Sequence, residues 1–372
     1  MGKLTDFFTS RREGKDIRYI LSIDGGGMRG IIPAYILSKI DALVKERGDK
    51  RPLYAHFDLV AGTSTGALLA LGLTAPAGKS ALRTDSLEPF KVFETYRKGL
   101  LRKEERFKGY ILPSTAPDSL SDFYLRHGSR IFPRTTLNAL SQLFQVKYDE
   151  KPLEAFLLEQ LGHIRLDEAL SPTLAVAYDC PNARPYVFRS YDSHGYLSRE
   201  AARASTAAPL YFPPAIISDR QTGEKLILSD GGLVANNPAM IAYIEAKRLY
   251  PDADEFRILS LSTCKRAFSF DPSRISGGAA SWASNITRVY SNAQENLVNE
   301  EIASMKDVRY LRIYSDVLER RIALDDTSKE SLALLQRGAE KAYENQRAEI
   351  EGFAQALAES STRDSVRLFQ SP

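Results

Sequence analysis

The sequence is poor in several residue types, and each shortage excludes a class of protein. Only two of the 372 residues are cysteines, Cys180 and Cys264, so a disulfide-based scaffold is excluded. There are four histidines and no H-E-x-x-H, C-x-x-C or calcium-loop pattern, so we expect neither a metal nor another cofactor. The most apolar long stretch, 67–77, has about half of the roughly 20 residues that a bilayer-spanning helix needs.

A large excess of one charge is missing as well. Fifty Lys and Arg residues face 47 Asp and Glu residues, and this balance does not suit a chain whose main partner is a nucleic acid polymer. With 43% hydrophobic and 26% charged residues, the composition is that of an ordered globular protein. The first eight residues contain an acid and no apolar core, unlike a secretory signal. We therefore expect a cytoplasmic protein that contacts membranes only peripherally.

Short apolar runs alternate with helical patterns along the chain. The runs 18–23 and 57–61 are typical of buried strands, and each precedes a glycine-rich turn and a helical pattern, at 31–46 and 67–73. This repeated order predicts an α/β fold with a mostly parallel central sheet. Further strands are predicted at 173–178, 185–188, 225–228, 256–261 and 308–313, and further helices at 198–206, 238–249 and 329–357.

The pattern weakens between residues 76 and 134, a stretch rich in Arg, Lys, Pro, Phe and Tyr. We interpret 76–134 as an insertion that caps the sheet, within a catalytic core that spans 18–240. Residues 241–372 contain further strand and helix patterns, and we expect them to complete the same α/β domain.

The sequence G-T-S-T-G at 62–66 places Ser64 between a predicted strand and a predicted helix. A G-x-S-x-G pattern in this context presents a serine hydroxyl on a sharp turn, and Gly62 and Gly66 leave room for the neighbouring backbone. Ser64 is therefore the candidate nucleophile. The alternative is a tight loop with an incidental serine.

A serine nucleophile needs a base, and the histidines are badly placed for that role. In the usual hydrolase order the histidine comes last, but none follows His194. His56 precedes Ser64 by eight residues, at the opposite end of the same predicted strand, which is too far for a hydrogen bond if the strand is extended. We expect the histidines to have structural roles.

Asp230 offers another base, because it ends a predicted strand and is followed by Gly231 and Gly232. Functional sites of parallel α/β sheets lie at strand ends of this kind. A free aspartate is a weak base unless burial or close pairing changes its pKa. Taken alone, the D-G-G sequence equally fits an ordinary turn.

The segment D-G-G-G-M-R-G at 24–30 contains G-x-G-x-x-G between a strand and a helix. A dinucleotide site would require an acid at the end of the next strand, whereas Asp58 lies at the start of one. We therefore favour an oxyanion hole, in which successive glycine N–H groups at a helix N-terminus stabilise negative charge. Arg29 either steadies this loop or holds a phosphate.

In type and order, the motifs at 24–30, 62–66 and 230–232 resemble those of the patatin-like phospholipase family. The resemblance spans about 19–239 and includes A-S-T-A-A-P-L-Y-F-P-P at 204–214. It implies a three-layer α/β/α sandwich and a lipid acyl hydrolase of membrane glycerophospholipids. The site residues that it implies are a catalytic dyad without histidine, Ser64 and Asp230; an oxyanion hole of Gly25, Gly26, Gly27 and Arg29; and the motif glycines Gly62, Gly66, Gly231 and Gly232.

The resemblance also implies a regulatory hypothesis. Some bacterial members are anti-phage effectors that cyclic oligonucleotides switch on, and they degrade membrane phospholipid in the infected cell. A cyclic oligonucleotide activator and action at the inner membrane are therefore hypotheses for this chain, as is a homo-oligomer, although no local motif proves gating. The alternatives are a serine esterase with another substrate and a non-catalytic storage or scaffold protein.

The segment 91–110 carries seven Lys or Arg residues and three Glu residues, interleaved with aromatic and leucine side chains. We expect a basic, aromatic helix here. It would lie on an anionic membrane, pack as a cap on its own sheet, or bind a phosphate-bearing regulator through Arg97, Arg102 or Arg106.

Overall fold

The computed structural model describes residues 15–77, 88–98, 102–133, 145–192, 195–264, 282, 286–314, 318 and 320–360. The strands in these residues are β1 (Ile17–Ile23), β2 (Leu59–Thr63), β3 (Phe90–Lys98), β4 (Arg102–Ile111), β5 (Thr173–Asp179), β6 (Arg184–Arg189), β7 (Ala215–Ser218), β8 (Lys225–Asp230), β9 (Glu255–Leu261) and β10 (Val308–Ile313).

The helices of the described residues are α1 (Ile31–Glu46), α2 (Thr65–Thr74), α3 (Pro117–Ile131), α4 (Lys151–Leu161), α5 (Ser198–Ser205), α6 (Gly232–Ala235), α7 (Ala239–Leu249), α8 (Ile286–Ser304), α9 (Lys329–Asn345) and α10 (Arg347–Ala358). Within the described part of the chain, every helix is too short or too polar to cross a membrane.

Eight strands form one sheet in the order β10-β9-β1-β2-β5-β8-β7, and β6 pairs with β5. The five strands from β10 to β5 are parallel, whereas β6 and β8 run antiparallel to β5. We call the end of the sheet at which the parallel strands finish the carboxyl end, and the opposite end the amino end.

Side chains of β1 point alternately into two apolar layers, which shows that helices cover both faces of the sheet. Leu21 and Ile23 pack with α1, α2, α9 and α10. Ile20 packs on the other face, against the small side chains Ala239 and Ala242 of α7. The predicted three-layer α/β/α sandwich is therefore confirmed. Strands β9 and β10 belong to the same sheet as β1 and β2.

Most predicted elements are present, with bounds within a few residues. The pattern at 329–357 is two helices, because the backbone leaves the helical conformation at Gln346 (φ −124°, ψ 29°). Helices α3, α4, α6 and α8 and strand β7 were not predicted. Polar residues interrupt the apolar pattern in α3 and α8, and α6 and β7 have only four residues each, too few to show a period. In α4 the spacing of Leu153, Phe156 and Leu157 is helical and was overlooked.

The prediction of a helix at 91–110 is wrong. Strands β3 and β4 form an antiparallel hairpin that is a sheet of its own, with Phe93 opposite Phe107. Val92 is buried while Phe93 is half exposed, and this alternation from one residue to the next is typical of a strand. Aromatic side chains that meet across the two strands, 5.8 Å between the ring centroids of Phe93 and Phe107, favour this pairing.

The hairpin carries the three arginines that were candidates for membrane or regulator contact. In the backbone register Arg97 lies opposite Lys103 and Arg102 lies opposite Lys98. The side chains of Arg97 and Arg102 fall outside the described residues, and Arg106 is exposed.

The base of the hairpin lies at the amino end of the sheet. Helix α1 starts beside the carboxyl end and runs about 24 Å, given its 16 residues and 1.5 Å per residue. A cavity of 470 Å³ lies between the last turns of α1, at Asp41 and Lys45, and the hairpin residue Phe90. The hairpin is therefore separated from the carboxyl end by the length of a helix.

Candidate active site

The edge of β5 brings the ends of β2 and β8 together. The last residue of β2, Thr63, lies opposite Val176, and the last residue of β8, Asp230, lies opposite Ala177. Because β6 occupies the other edge of β5 along its whole length, β2 and β8 share one edge and meet end to end. This topology places Asp230 beside Ser64, 166 residues earlier in the chain.

Ser64 sits on a sharp turn between β2 and α2. Its backbone has φ 53° and ψ −122°, in a region that residues other than glycine rarely adopt. A Cβ atom on Gly62 would lie 2.2 Å from the Gly66 carbonyl oxygen, and one on Gly66 would lie 2.1 Å from that of Ile23. Both glycines are therefore required for the turn to close against β1.

The Ser64 hydroxyl donates a hydrogen bond to Oδ2 of Asp230, with 2.6 Å between the oxygens. The other carboxylate oxygen, Oδ1, accepts the N–H of Gly232 at 2.7 Å. Gly231 lies so close to the Val176 carbonyl oxygen that a Cβ would be 2.3 Å from it, which lets the end of β8 reach β5. Both carboxylate oxygens are thus oriented by neutral donors.

Burial raises the pKa of the Asp230 carboxyl to about 6, although the hydrogen bonds from Ser64 and Gly232 pull it down. Among the described residues, no lysine or arginine forms an ion pair with Asp230. A desolvated carboxylate without a cationic partner is a stronger base than a free one, and it is still ionised at neutral pH.

Three of the four histidines fall in the described residues, and none of the three hydrogen-bonds Ser64. His56 is fully buried, with Nε2 4.0 Å from an Asp49 carboxylate oxygen. His127 packs against the ring of Phe156 on α4, and His163 is exposed. His194 lies outside the described residues.

The glycine loop at 25–27 lies beside Ser64. A Cβ on Gly25 would be 3.2 Å from the Ser64 Cβ. However, the N–H of Gly25 donates to the Asn236 carbonyl at 3.0 Å, so it does not point to the serine as the oxyanion-hole prediction requires. Within the described chain, the N–H groups of Gly26 and Gly27 have no hydrogen-bond partner, and they are the loop donors left for an oxyanion.

Arg29 folds back on this loop. Its Nε donates to the Gly26 carbonyl at 3.3 Å, which supports the steadying role considered for it. Burial lowers the pKa of the Arg29 guanidinium, and the Glu295 carboxylate nearby partly offsets this effect. The next glycine, Gly30, packs against the hydroxyls of Thr65 and Tyr124, each 2.5 Å from where its Cβ would be.

Sequence reasoning missed two hydroxyl groups that hold these turns. The Ser205 hydroxyl accepts the N–H of Ser64 at 2.9 Å and donates to the Val176 carbonyl at 2.5 Å. The Thr263 hydroxyl donates to the Gly25 carbonyl at 2.8 Å. Ser205 lies in the segment 204–214 that carried the resemblance, whereas Thr263 had no signal beyond its place after a strand.

Comparisons with known proteins agree with this arrangement. The profile of the family described as "Patatin-like phospholipase" matches residues 21–243. Patatin-like protein 2 of Arabidopsis thaliana is 29% identical over 85% of this chain and 80% of its own length. Patatin-like protein 1 of the same plant is 28% identical over 93% and 86%, and Patatin-04/09 of Solanum tuberosum is 26% identical over 85% and 81%.

A solved structure, that of VipD from Legionella pneumophila, covers 92% of this chain and 69% of its own, with 13% identity and a TM-score of 0.39. The family profile covers well over half of the 372 residues, including all of 24–30, 62–66 and 230–232. The chain therefore belongs to the patatin-like phospholipase family, a family of lipid acyl hydrolases that act on carboxylic esters.

Proposed function

We propose that the protein hydrolyses the fatty acyl esters of membrane glycerophospholipids, with Ser64 as nucleophile and Asp230 as general base. One observation carries this proposal: a serine hydroxyl on a strained turn lies 2.6 Å from a buried carboxylate. A storage or scaffold protein would have no use for this strain, which costs of order 1–3 kcal/mol.

In the proposed reaction, the Ser64 oxygen attacks the ester carbonyl carbon while Asp230 takes its proton. The N–H groups of Gly26 and Gly27 and the N-terminus of α2 stabilise the oxyanion that forms. Asp230 then returns the proton to the leaving alcohol as the acyl-serine forms. In the second half, Asp230 takes a proton from a water molecule as the water oxygen attacks the acyl carbon. The bond between that carbon and the Ser64 oxygen then breaks, and Asp230 returns the proton to Ser64 as the fatty acid leaves.

The direct test is Ser64→Ala, assayed on phospholipid vesicles and on a soluble ester such as p-nitrophenyl butyrate. We expect both activities to fall about a thousandfold or more, because the nucleophile is removed. The matched control is Ser304→Ala at the end of α8, which removes a hydroxyl whose one hydrogen bond within the described residues is to the Glu301 carbonyl. Unchanged turnover by folded Ser64→Ala would refute the nucleophile.

The place of membrane contact follows from where the proposed site lies. Ser64 is at the carboxyl end of the sheet, whereas the hairpin is based at the amino end. Leu210 belongs to a segment whose Ala207 carbonyl accepts the Asp230 N–H. Leu210 is 75% exposed, so an apolar side chain faces water, and its φ of +72° is a conformation that residues other than glycine rarely adopt. We propose that the carboxyl end, including Leu210, meets the lipid surface.

The variant Leu210→Asn tests this contact, because asparagine tolerates a positive φ and is polar. Hydrolysis of vesicles should fall several-fold while turnover of the soluble ester stays the same. Leu158→Asn is the matched control, since Leu158 on α4 is also exposed, at 44%. Equal losses in both variants, or no loss in Leu210→Asn, would mean that the membrane contact is not at Leu210. The variant Phe107→Ser would then test whether the hairpin makes the contact, since Phe107 is exposed.

Gating by a cyclic oligonucleotide in anti-phage defence is a separate hypothesis, and its support is the basic character of the hairpin. The deciding assay is lipid hydrolysis with and without a panel of cyclic di- and trinucleotides. Stimulation by one of them supports the gated effector. Full activity without any of them favours a constitutive lipase.

A further inference from the structure

A buried cluster of charges lies directly behind the glycine loop. Arg312, on β10, binds the carboxylate of Asp24 with both terminal nitrogens, at 2.7 Å from Nη1 to Oδ1 and 2.5 Å from Nη2 to Oδ2. The same guanidinium donates to Glu295 on α8 at 2.6 Å and to the Ser260 hydroxyl on β9 at 2.7 Å. Three elements of the C-terminal part of the chain thus converge on the end of β1.

The cluster is largely shielded from water. Asp24 is fully buried, Glu295 is 5% exposed, and the Arg312 side chain is 11% exposed. Its acidic partners raise the pKa of Arg312 despite the burial of the guanidinium, so the group is a permanent cation. A buried ion pair adds little net stability compared with apolar packing, and fixing one geometry is a better-attested use.

Asp24 is the last residue with a side chain before three successive glycines. The glycines have no side chains that packing can hold, so the direction of their N–H groups depends on the backbone hydrogen bonds of the loop and on the residues at its two ends. At one end, Asp24 is held by Arg312 and by its own N–H, which donates to the Leu261 carbonyl at 3.0 Å. At the other end, the N–H of Met28 donates to the Leu324 carbonyl at 2.8 Å.

We infer that Arg312 is a positioning residue for the reaction, which acts through Asp24 to aim the N–H groups of Gly26 and Gly27 at the oxyanion. This inference rests on the proposed function of Ser64. It assigns a role in catalysis to β10, which lies outside the segment 21–243 that matches the family profile.

The test compares Arg312→Lys and Arg312→Ala with the same changes at Arg257. Arg257 is a buried arginine on the neighbouring strand β9, but it lies towards the amino end, where it bonds to Glu255 and to the Tyr19 hydroxyl. Lysine keeps the charge of Arg312 and loses the two-pronged contact with Asp24, so this variant is expected to fold.

For Arg312→Lys we expect kcat on p-nitrophenyl butyrate to fall about 10- to 100-fold, less than the 10²- to 10³-fold typical of losing an oxyanion donor outright. KM should change less than about twofold, because the ester is bound elsewhere and only the transition state uses the loop. Labelling of Ser64 by a fluorophosphonate should slow in parallel. Added methylguanidinium should restore part of the kcat of Arg312→Ala, and both Arg257 variants should keep kcat when folded.

The inference is overturned if folded Arg312→Lys has wild-type kcat, if KM rises instead, or if Arg257→Lys loses kcat to the same extent. If Arg312→Ala does not fold, Arg312→Lys and its labelling rate still decide the matter. Failure of the proposed function is distinguishable, since it would appear as hydrolysis that survives Ser64→Ala. Loss of activity in Ser64→Ala together with unchanged Arg312→Lys refutes the positioning role alone.

Discussion

Two buried aspartates lie where strands of the central sheet end, and they differ in what surrounds their carboxylates. Asp24, after β1, has both oxygens bound by the guanidinium of Arg312. Asp230, at the end of β8, has its oxygens bound by a hydroxyl and a backbone N–H. A neighbouring cation stabilises the charged form and makes a carboxylate a weaker base, whereas burial with neutral donors makes it a stronger one. The same residue type is therefore suited to anchoring in one place and to proton transfer in the other.

The largest effect should come from removing the base. Asp230→Asn keeps the shape of the side chain but cannot accept the Ser64 proton, so we expect kcat on a soluble ester to fall about 10²- to 10⁴-fold. Circular dichroism and thermal unfolding should show an intact fold. A loss of less than tenfold would indicate that another group acts as the base.

The corresponding change at the other aspartate should lower stability, and it should lower kcat less than Asp230→Asn does, because Asp24 anchors the glycine loop and is not the proposed base. Asp24→Asn leaves the Arg312 guanidinium without its main partner, and breaking a buried pair in this way costs up to about 3–5 kcal/mol. Urea unfolding should show this loss of stability. The loss should be smaller than for a fully unpaired arginine, because Glu295 still binds Arg312. If Asp24→Asn is as stable as the wild type and as inactive as Asp230→Asn, the contrast between the two aspartates is wrong.

Asp24→Asn is expected to lower stability, whereas Asp230→Asn is expected to raise it at high pH. The folded pKa of Asp230, about 6, lies above the unfolded value of about 3.9, so the folded state binds the proton more tightly. This contribution is fully present below about pH 4 and is lost as the pH rises through about 6, a change of up to about 3 kcal/mol. An asparagine side chain does not ionise, so Asp230→Asn does not lose this stability as the pH rises. The free energy of unfolding of Asp230→Asn minus that of the wild type, measured by urea unfolding, should therefore be larger at pH 8 than at pH 4.

A smaller effect is expected in the pH profile of the wild type. In the proposed mechanism the ionised form of Asp230 is the base, so kcat/KM on a soluble ester should rise with pH through about 6 and then level off. One pH unit below the midpoint, the rate should be about tenfold lower than the plateau. In Arg312→Lys the midpoint should stay near 6, because Arg312 acts on the loop rather than on the base.

The candidate site was predictable from sequence where local sterics dictate it. Gly62 and Gly66 are needed because a side chain at either position would strike backbone, and such a requirement leaves a short motif. The pairing of Ser64 with Asp230 was expected from the resemblance and not from local sterics, because the contact depends on two strands sharing one edge of β5. The Arg312 contact was invisible, since its partner Asp24 is 288 residues away and an arginine in a strand has many other uses.

The sheet was largely predictable because most of its buried strands are continuous apolar runs. The hairpin was not, because charged residues mask its alternation and a helix accommodates the same composition. Val92 and Phe93 show the difficulty: one is buried and the other exposed, and both are apolar in the sequence. Their difference in exposure, like the pairing of β3 with β4, is a property of the folded chain and cannot be read from the sequence.

The meeting of β2 and β8 on one edge of β5 makes the chemistry sensitive to alignment. A shift of β8 by a single residue along β5 would turn the Asp230 side chain to the opposite face of the sheet, away from the serine. A chain with correct secondary structure but misaligned strands would thus be inert towards lipid. In the proposed mechanism, hydrolysis therefore requires the native register of β8 on β5 as well as the native secondary structure.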